Sequence, residues 1–159
     1  MRFQVAVCGP GRCTEEERLH ARQVGRLLAE RDAIVLCGGG GGVMAAAAEG
    51  ARSRGGLVVG IRPDTDRAAA PDALSAVILT GMGESRNAVI VASADAVISV
   101  GGSWGTLSEI ALAARRGEIP VVCLAGWQVT EQAGTPVAGL VHTATPEEAV
   151  ATALARWAP

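Results

Sequence analysis

The residues best suited to bind or act on a ligand lie in one segment, residues 101–109, with the sequence Gly-Gly-Ser-Trp-Gly-Thr-Leu-Ser-Glu. This segment follows an apolar run that predicts a buried strand and precedes an alanine-rich helical pattern, residues 110–116. That order leaves unpaired backbone N–H groups at a helix N-terminus, where the helix dipole also favours an anion. A second glycine turn, residues 38–42, has the same setting. Two such turns predict a ligand that carries phosphate.

Glu109 is the acidic residue of this segment, and its spacing allows two interpretations. It follows Thr106 by three residues, which is the spacing of a capping box in which the carboxylate accepts from the N-cap backbone N–H. Alternatively, the carboxylate faces the ligand, where it binds a ribose hydroxyl or positions a water molecule. The residue types alone leave both interpretations open.

Arg86 and Trp104 are the other candidates for ligand contact. Arg86 lies in the first turn of a predicted helix, where a cation opposes the helix dipole. Pairing with Glu84 or Asp95 would explain this placement. We favour contact with a ligand phosphate, because a guanidinium matches phosphate oxygens bidentately. Trp104 is either a stacking surface or a packing side chain in a tight turn, and the sequence does not decide between the two.

These candidates need a scaffold that brings them together, and the hydrophobic pattern predicts one. Strand-like apolar runs alternate with helical patterns, which is typical of an α/β fold, here a three-layer αβα sandwich with a mostly parallel sheet of six to seven strands. The predicted strands are residues 3–8, 33–37, 57–61, 76–79, 95–100, 119–124 and about 140–142. The predicted helices are residues 14–30, opened by a Thr14/Glu17 capping box, then 43–54, 84–93, the segment that follows the glycine turn of residues 101–105 and ends at 116, and 146–157. We expect residues 1–159 to form a single domain.

Glycine-rich and polar clusters follow the predicted strands. They are residues 9–11, 38–42, 62–73, 80–87 and 101–106. In open parallel sheets, ligands bind outside the carboxyl ends of the strands. We therefore expect one shared binding cleft at that edge. The small residues of the second helix would pack closely either in the core or across a subunit interface.

The charge and hydropathy of the chain exclude several partners. The net charge is −2, with 14 basic and 16 acidic residues and no basic stripe, so we expect no nucleic acid and no anionic membrane as the main partner. No apolar run approaches the roughly 20 residues that span a bilayer. The N-terminal segment enters a strand pattern directly, without signal-peptide features, so we expect a cytoplasmic protein.

The residue inventory also excludes some cofactor chemistry. All 14 basic residues are Arg, so no Schiff-base lysine is available for pyridoxal phosphate and a Walker-type loop would lack its lysine. The four cysteines lack CxxC spacing and there are only two histidines, so we predict no metal site. The cysteines are expected to be small buried hydrophobes in a reducing compartment.

Three motifs together resemble the LONELY GUY or "lysine decarboxylase-like" superfamily of Rossmann-like proteins. They are residues 38–44, 82–87 and 101–109. Within that superfamily they are most similar to the molybdenum cofactor carrier branch. The phosphoribohydrolase branch has an Arg-Lys pair and Pro-Gly-Gly-x-Gly-Thr-x-x-Glu. Here Asn87 stands in place of that Lys, Gly101 in place of the Pro and Ser103 in place of the second Gly.

The resemblance implies a Rossmann-like fold and one of two functions. In the carrier branch, the cleft holds the phosphate-bearing pterin of molybdenum cofactor without turnover. In the phosphoribohydrolase branch, the residues that match Arg86 and Glu109 are the catalytic pair, which cleaves the N-glycosidic bond of a nucleoside 5′-monophosphate. A nearby carboxylate can stabilise the oxocarbenium character that develops on the ribose. The superfamily also implies a homo-oligomer, a dimer or a tetramer.

We therefore expect a binding protein for a phosphorylated ligand, most specifically a molybdenum cofactor carrier or storage protein. The alternative is a nucleoside 5′-monophosphate phosphoribohydrolase of the cytokinin-riboside type, and a third possibility is a nucleotide-responsive sensor. No cofactor is expected to be required for catalysis. Besides Arg86 and Glu109, the expected ligand contacts are Gly9, Gly11, Gly39, Gly40, Gly41, Gly42, Met82, Asn87, Gly101, Gly102, Ser103, Trp104, Gly105 and Thr106.

Overall fold

A seven-stranded parallel sheet forms the centre of the molecule, as seen in a computed structural model that describes residues 1–157. The strands are β1 (Gln4–Cys8), β2 (Ile34–Cys37), β3 (Val58–Arg62), β4 (Ala76–Leu79), β5 (Ala96–Val100), β6 (Val121–Leu124) and β7 (Leu140–Thr143). Their order is β4-β3-β2-β1-β5-β6-β7, and each neighbouring pair is parallel. The predicted α/β class and the number of strands are confirmed.

Helices cover both faces of the sheet. They are α1 (Glu15–Glu30), α2 (Val43–Arg52), α3 (Asn87–Ala92), preceded by a 3-10 helix (Gly83–Arg86), α4 (Trp104–Arg116) and α5 (Pro146–Ala153). Alternate residues of β1 point to opposite faces, as the two-residue period of a strand requires. Val5 and Val7 pack with α1, α2 and α5, whereas Ala6 and Cys8 pack with α3 and α4. This is the three-layer αβα arrangement.

The small residues of α2 pack inside the subunit. Ala47, Ala48 and Ala51 are fully buried in the core beside α1. The two helices approach so closely that a Cβ added at Gly25 of α1 would collide with the Ala47 carbonyl, and one added at Gly50 would collide with the Arg22 carbonyl. Close packing in the core of one chain therefore explains why α2 is rich in small residues.

Several predicted boundaries differ from the structure. The last predicted helix ends at Ala153 rather than at residue 157. Helix α2 ends at Arg52, two residues earlier than predicted, and the expected glycine follows at Gly55, with a φ of +71°. The helix predicted for residues 84–93 is a 3-10 turn followed by the short helix α3. The Thr14/Glu17 capping box is confirmed. Across residues 1–157, no helix has the length and hydropathy needed to cross a membrane.

Candidate ligand-binding site

A small cavity opens at the carboxyl edge of the sheet, beside the ends of β1 and β5. From β1 the chain adds strands on one side of the sheet up to β4, and from β5 it adds them on the other side. The crevice between β1 and β5, where the direction changes, is the usual ligand position in an open parallel sheet. The cavity has a volume of about 190 Å³. It is lined by Gly9, Gly11, Met44, Glu84, Arg86, Asn87, Ser103, Gly105, Thr106 and Glu109.

The N-terminus of α4 forms one wall of this cavity. Gly101 turns the chain out of β5 with a φ of +67°, and Ser103 then takes an extended conformation as the N-cap. The Ser103 hydroxyl accepts from the Thr106 backbone N–H at 3.2 Å and lies 2.9 Å from the Thr106 hydroxyl. Because Ser103 is the cap, the capping-box interpretation of Thr106 with Glu109 is wrong. The first turn of α4 presents its free N–H groups at the cavity.

Glu109 is a buried carboxyl inside α4, with only 7% of its surface exposed. It faces the Cys8 thiol at the end of β1, with the Arg86 guanidinium nearby. Burial raises the pKa of Glu109 to about 7, because a carboxylate loses hydration in this position; the Cys8 thiol and the charge of Arg86 partly oppose the rise. The group therefore exchanges its proton near neutral pH.

Arg86 lies opposite Glu109, at the end of the 3-10 helix, and is 8% exposed. Its Nε is buried and has no hydrogen-bond partner in the described range, residues 1–157. Within the described residues Arg86 forms no ion pair with Glu84 or Asp95, and the Asp95 carboxylate instead accepts from the Gln4 backbone N–H at 2.9 Å. The alternative interpretation, in which Arg86 pairs with Glu84 or Asp95, is therefore wrong. A buried cationic donor without a partner is costly, and a bound anion would remove that cost.

The Arg86 side chain packs against the glycine turn of residues 38–42. Its guanidinium lies directly on the backbone of Gly38, where an added Cβ would come within 2.5 Å of Nη1 and 2.7 Å of the Met44 sulfur. The next residue along the chain, Asn87, donates its amide to the Ser108 hydroxyl at 2.8 Å and ties the start of α3 to α4. Asn87 thus connects the segment that carries Arg86 to the helix that carries Glu109, and it adds no charge to the cavity.

Arg62, at the end of β3, holds the glycine turn of residues 38–42. The Arg62 guanidinium donates to the Gly39 carbonyl at 2.6 Å and to the Ala69 carbonyl at 3.0 Å, and it also pairs with the Asp64 carboxylate. Arg62 is almost completely buried. It holds the turn against the loop of residues 62–73. The sequence pattern predicts Arg62 only as the first residue of that loop. The signal for its structural role is an Arg at a strand end followed closely by an Asp.

The structure brings half of the predicted contact residues to the cavity. Those that line it are Gly9, Gly11, Arg86, Asn87, Ser103, Gly105, Thr106 and Glu109. Those that do not line it are Gly39, Gly40, Gly41, Gly42, Met82, Gly101, Gly102 and Trp104. The turn glycines instead allow close backbone approach, since a Cβ at Gly42 would collide with the Pro10 carbonyl. Met44 and Glu84 line the cavity without having been proposed as ligand contacts.

Trp104 lies at the rim and is 79% exposed, so it does not fill space in the turn as a packing side chain would. Its indole meets that of Trp127 edge to face, with ring centroids 5.2 Å apart and planes at 83°. Trp127 in turn lies against Gly102, where an added Cβ would collide with its ring. Among residues 1–157, no group of three or more His, Cys, Asp or Glu side chains is arranged to hold a metal ion.

The parallel αβα fold and the cavity at its carboxyl edge define a Rossmann-like protein with a small-molecule binding site. Comparison with known proteins identifies the family. The model of the SLOG cluster4 family matches residues 2–150, and the chain belongs to that family.

Solved structures of similar proteins include two whose ligand is known. The molybdenum cofactor binding protein of the phototrophic bacterium Rippkaea orientalis is 34% identical, with a TM-score of 0.84 and 92% of each chain covered. The molybdenum cofactor carrier protein of Chlamydomonas reinhardtii is 30% identical, with a TM-score of 0.85, covering 99% of this chain and 100% of that one. An uncharacterized protein of Archaeoglobus fulgidus is 44% identical over 153 residues, which span 93% of this chain and 92% of that protein.

Proposed function

We propose that this protein binds a phosphorylated small molecule in the cavity at the carboxyl edge of the sheet, and that the ligand is molybdenum cofactor, held as cargo without turnover. The observation that carries the proposal is Arg86, a buried guanidinium whose Nε has no hydrogen-bond partner among residues 1–157. A ligand phosphate would supply the missing acceptor. The likeness to proteins named for binding or carrying molybdenum cofactor supports the choice of ligand.

The residues around Arg86 suit a terminal phosphate. The N-terminal turn of α4 offers backbone N–H groups, and the hydroxyls of Ser103 and Thr106 lie beside it. Gly9, Gly11 and Gly105 let the ligand approach the backbone closely, because no side chain covers it. In this assignment Arg86 neutralises the phosphate, and the neutral Asn87 keeps α3 and α4 at a fixed separation.

A second candidate, a nucleoside 5′-monophosphate phosphoribohydrolase, is favoured by one observation. Glu109 lies across the same cavity from Arg86, as a carboxylate would if it stabilised positive charge on a ribose. In that reaction the bond between C1′ and the base nitrogen breaks, water adds its hydroxyl to C1′, and the base leaves with the proton. Incubation with AMP and detection of free base tests it: release that Glu109→Gln abolishes would replace the carrier function.

The proposal includes the finer expectations taken from the sequence. We place the chain in the LONELY GUY superfamily, in the carrier branch, because a neutral residue, Asn87, stands where the hydrolases have a Lys. We also propose a cytoplasmic homodimer or homotetramer. Native mass spectrometry of freshly purified protein measures the number of subunits and any retained ligand together.

Binding of isolated molybdenum cofactor, followed by molybdenum retained per chain after gel filtration, tests the main proposal. Arg86→Gln should weaken binding by about tenfold to a hundredfold, because hydrogen bonds to charged groups contribute roughly 1.5–3 kcal/mol. The matched control is Arg22→Gln, an exposed Arg on α1 that does not line the cavity, which should bind as the wild type does. If the wild-type protein retains no molybdenum at micromolar concentrations, the carrier function is wrong.

A further inference from the structure

The cavity is too small to enclose the whole ligand that the proposed function requires. Its volume is about 190 Å³, whereas pockets that bury a complete drug-sized molecule have roughly 300–1,000 Å³. The residues inside it are almost all polar, charged or glycine, with Met44 as the exception. Such a cavity accommodates a phosphate and its nearest atoms. The remainder of the ligand must lie outside, against whatever surface forms the rim.

Two exposed tryptophans lie next to the residues that line the cavity. Trp104 stands between Ser103 and Gly105, both of which line the cavity, so its backbone is part of the entrance. Trp127 reaches the same place from the segment after β6 by lying on Gly102. The two indoles support each other edge to face, which is a favourable geometry for aromatic rings and holds them in place.

The exposure of these rings sets them apart from the third tryptophan. Trp104 is 79% exposed and Trp127 is 42% exposed, although burying an indole is strongly favourable. Trp157, by contrast, stacks on Phe3, with ring centroids 5.7 Å apart. It also lines a separate surface depression with Glu30, Arg31, Asp32 and Leu154, at the opposite edge of the sheet.

We propose that Trp104 and Trp127 form a stacking subsite for the fused, planar ring system of the ligand, while the cavity holds its phosphate. This inference rests on the proposed function, because it places the ring of the same phosphorylated ligand. The expected class is a phosphate ester that carries a fused nitrogen heterocycle, a pterin or a purine. The indole faces contact the face of such a ring and form no hydrogen bonds to its edges, so they accept different planar heterocycles. The subsite therefore favours ligands with a planar ring over phosphates without one.

Binding titrations with three probes separate the ring from the phosphate: molybdenum cofactor, AMP and ribose 5-phosphate. In Trp104→Leu, the affinity for the ring-bearing ligand that the wild type binds should fall by about tenfold, as in other base–aromatic stacking sites. The affinity for ribose 5-phosphate should be unchanged. Trp127→Leu should act in the same direction, and Trp157→Leu, the matched control, should leave all three affinities at the wild-type values. Comparing molybdenum cofactor with AMP identifies whether the ring is a pterin or a purine.

Fluorescence provides a second readout that does not depend on how well the Leu variants fold. In the double variant Trp127→Phe with Trp157→Phe, the emission of Trp104 should be quenched by the ring-bearing ligand and unaffected by ribose 5-phosphate.

Three results would overturn the proposal. Equal loss of affinity for ring-bearing and ring-free ligands in Trp104→Leu, or no loss at all, refutes the stacking subsite and leaves the proposed function intact. A change in subunit number in Trp104→Leu assigns the indole to a contact between copies of the chain. A wild-type protein that binds none of the three probes refutes the proposed function, and the subsite with it.

Discussion

Replacing Glu109 with Gln should stabilise the protein at alkaline pH and leave its stability nearly unchanged at acidic pH. The carboxyl of Glu109 has a pKa of about 7 in the folded chain, against an ordinary value of 4.5. Between these two values the folded protein holds a proton that the unfolded chain has released. Folding therefore becomes less favourable as the pH rises from about 4.5 to about 7, and the loss stays constant above that range.

The magnitude follows from the difference between the two pKa values. At 1.36 kcal/mol for each pH unit, ionising this buried carboxyl costs about 3 kcal/mol of folding free energy by pH 8. That is a large share of the 5–15 kcal/mol by which a typical domain is stable. Gln has nearly the same shape as Glu and no charge, so Glu109→Gln removes the cost and retains the packing against Cys8.

Urea unfolding at a series of pH values from 5 to 8.5 measures this effect. The difference in unfolding free energy between Glu109→Gln and the wild type should rise by about 2–3 kcal/mol across that range, because part of the effect is already present at pH 5. The matched control is Glu16→Gln, the same chemical change at an exposed position in the first turn of α1. A difference that stays constant from pH 5 to pH 8.5 would refute the argument that burial keeps Glu109 protonated.

Two further predictions concern Arg86 and its surroundings. Gly38→Ala should weaken phosphate binding about as much as Arg86→Gln does, because the new Cβ would lie 2.5 Å from Nη1 of Arg86 and displace the guanidinium. Titration with ribose 5-phosphate measures this loss of affinity. An unchanged affinity would show that phosphate binding does not need the contact between Gly38 and Arg86. The dissociation constant of the wild type for ribose 5-phosphate, divided by that of Glu109→Gln, should increase several-fold as the pH rises from 6 to 8. The reason is that the ionised Glu109 carboxylate, present only in the wild type, repels an anion held by Arg86. Taking this ratio cancels the titration of the phosphate itself, and a flat ratio would contradict the repulsion.

The sheet and most helices could be predicted because their signals are local. The alternation of β1 between two faces, the glycine after α2 and the Thr14/Glu17 capping box are each set within a few residues. These features depend on backbone geometry and on hydrophobic period, which the sequence displays directly.

The choice between Ser103 and Thr106 as the cap of α4 was less predictable. Both residues have a hydroxyl, and both are followed at a suitable distance by a helical pattern. The structure selects Ser103 because Gly101 turns the chain early, at a φ of +67°, in a position where any Cβ would collide with the Glu17 carboxylate of α1. That contact joins positions 84 residues apart, so no local pattern contains it.

The partners of the site residues were the least predictable feature. Arg62 and Arg86 have the same side chain, yet Arg62 is satisfied by Asp64 and two carbonyls, whereas the Nε of Arg86 has no hydrogen-bond partner in the part of the chain that the structure describes. Both guanidinium groups reach the glycine turn of residues 38–42, Arg62 at the Gly39 carbonyl and Arg86 at the backbone of Gly38, so position alone does not distinguish them. The distinction matters, because an Arg with a complete set of partners is structural and one without is available to a ligand.

The protonation of Glu109 connects the two candidate functions. When the Glu109 carboxyl is neutral, it places no negative charge opposite Arg86, which favours an anionic ligand in its ground state. An ionised carboxylate reduces that attraction, but it is the form that can stabilise positive charge on a ribose. With a pKa of about 7, the two forms are similarly populated at neutral pH. Retention of a phosphorylated ligand should therefore be strongest below pH 7, and any hydrolysis should be fastest above it, so the pH at which the site works best distinguishes a carrier from an enzyme.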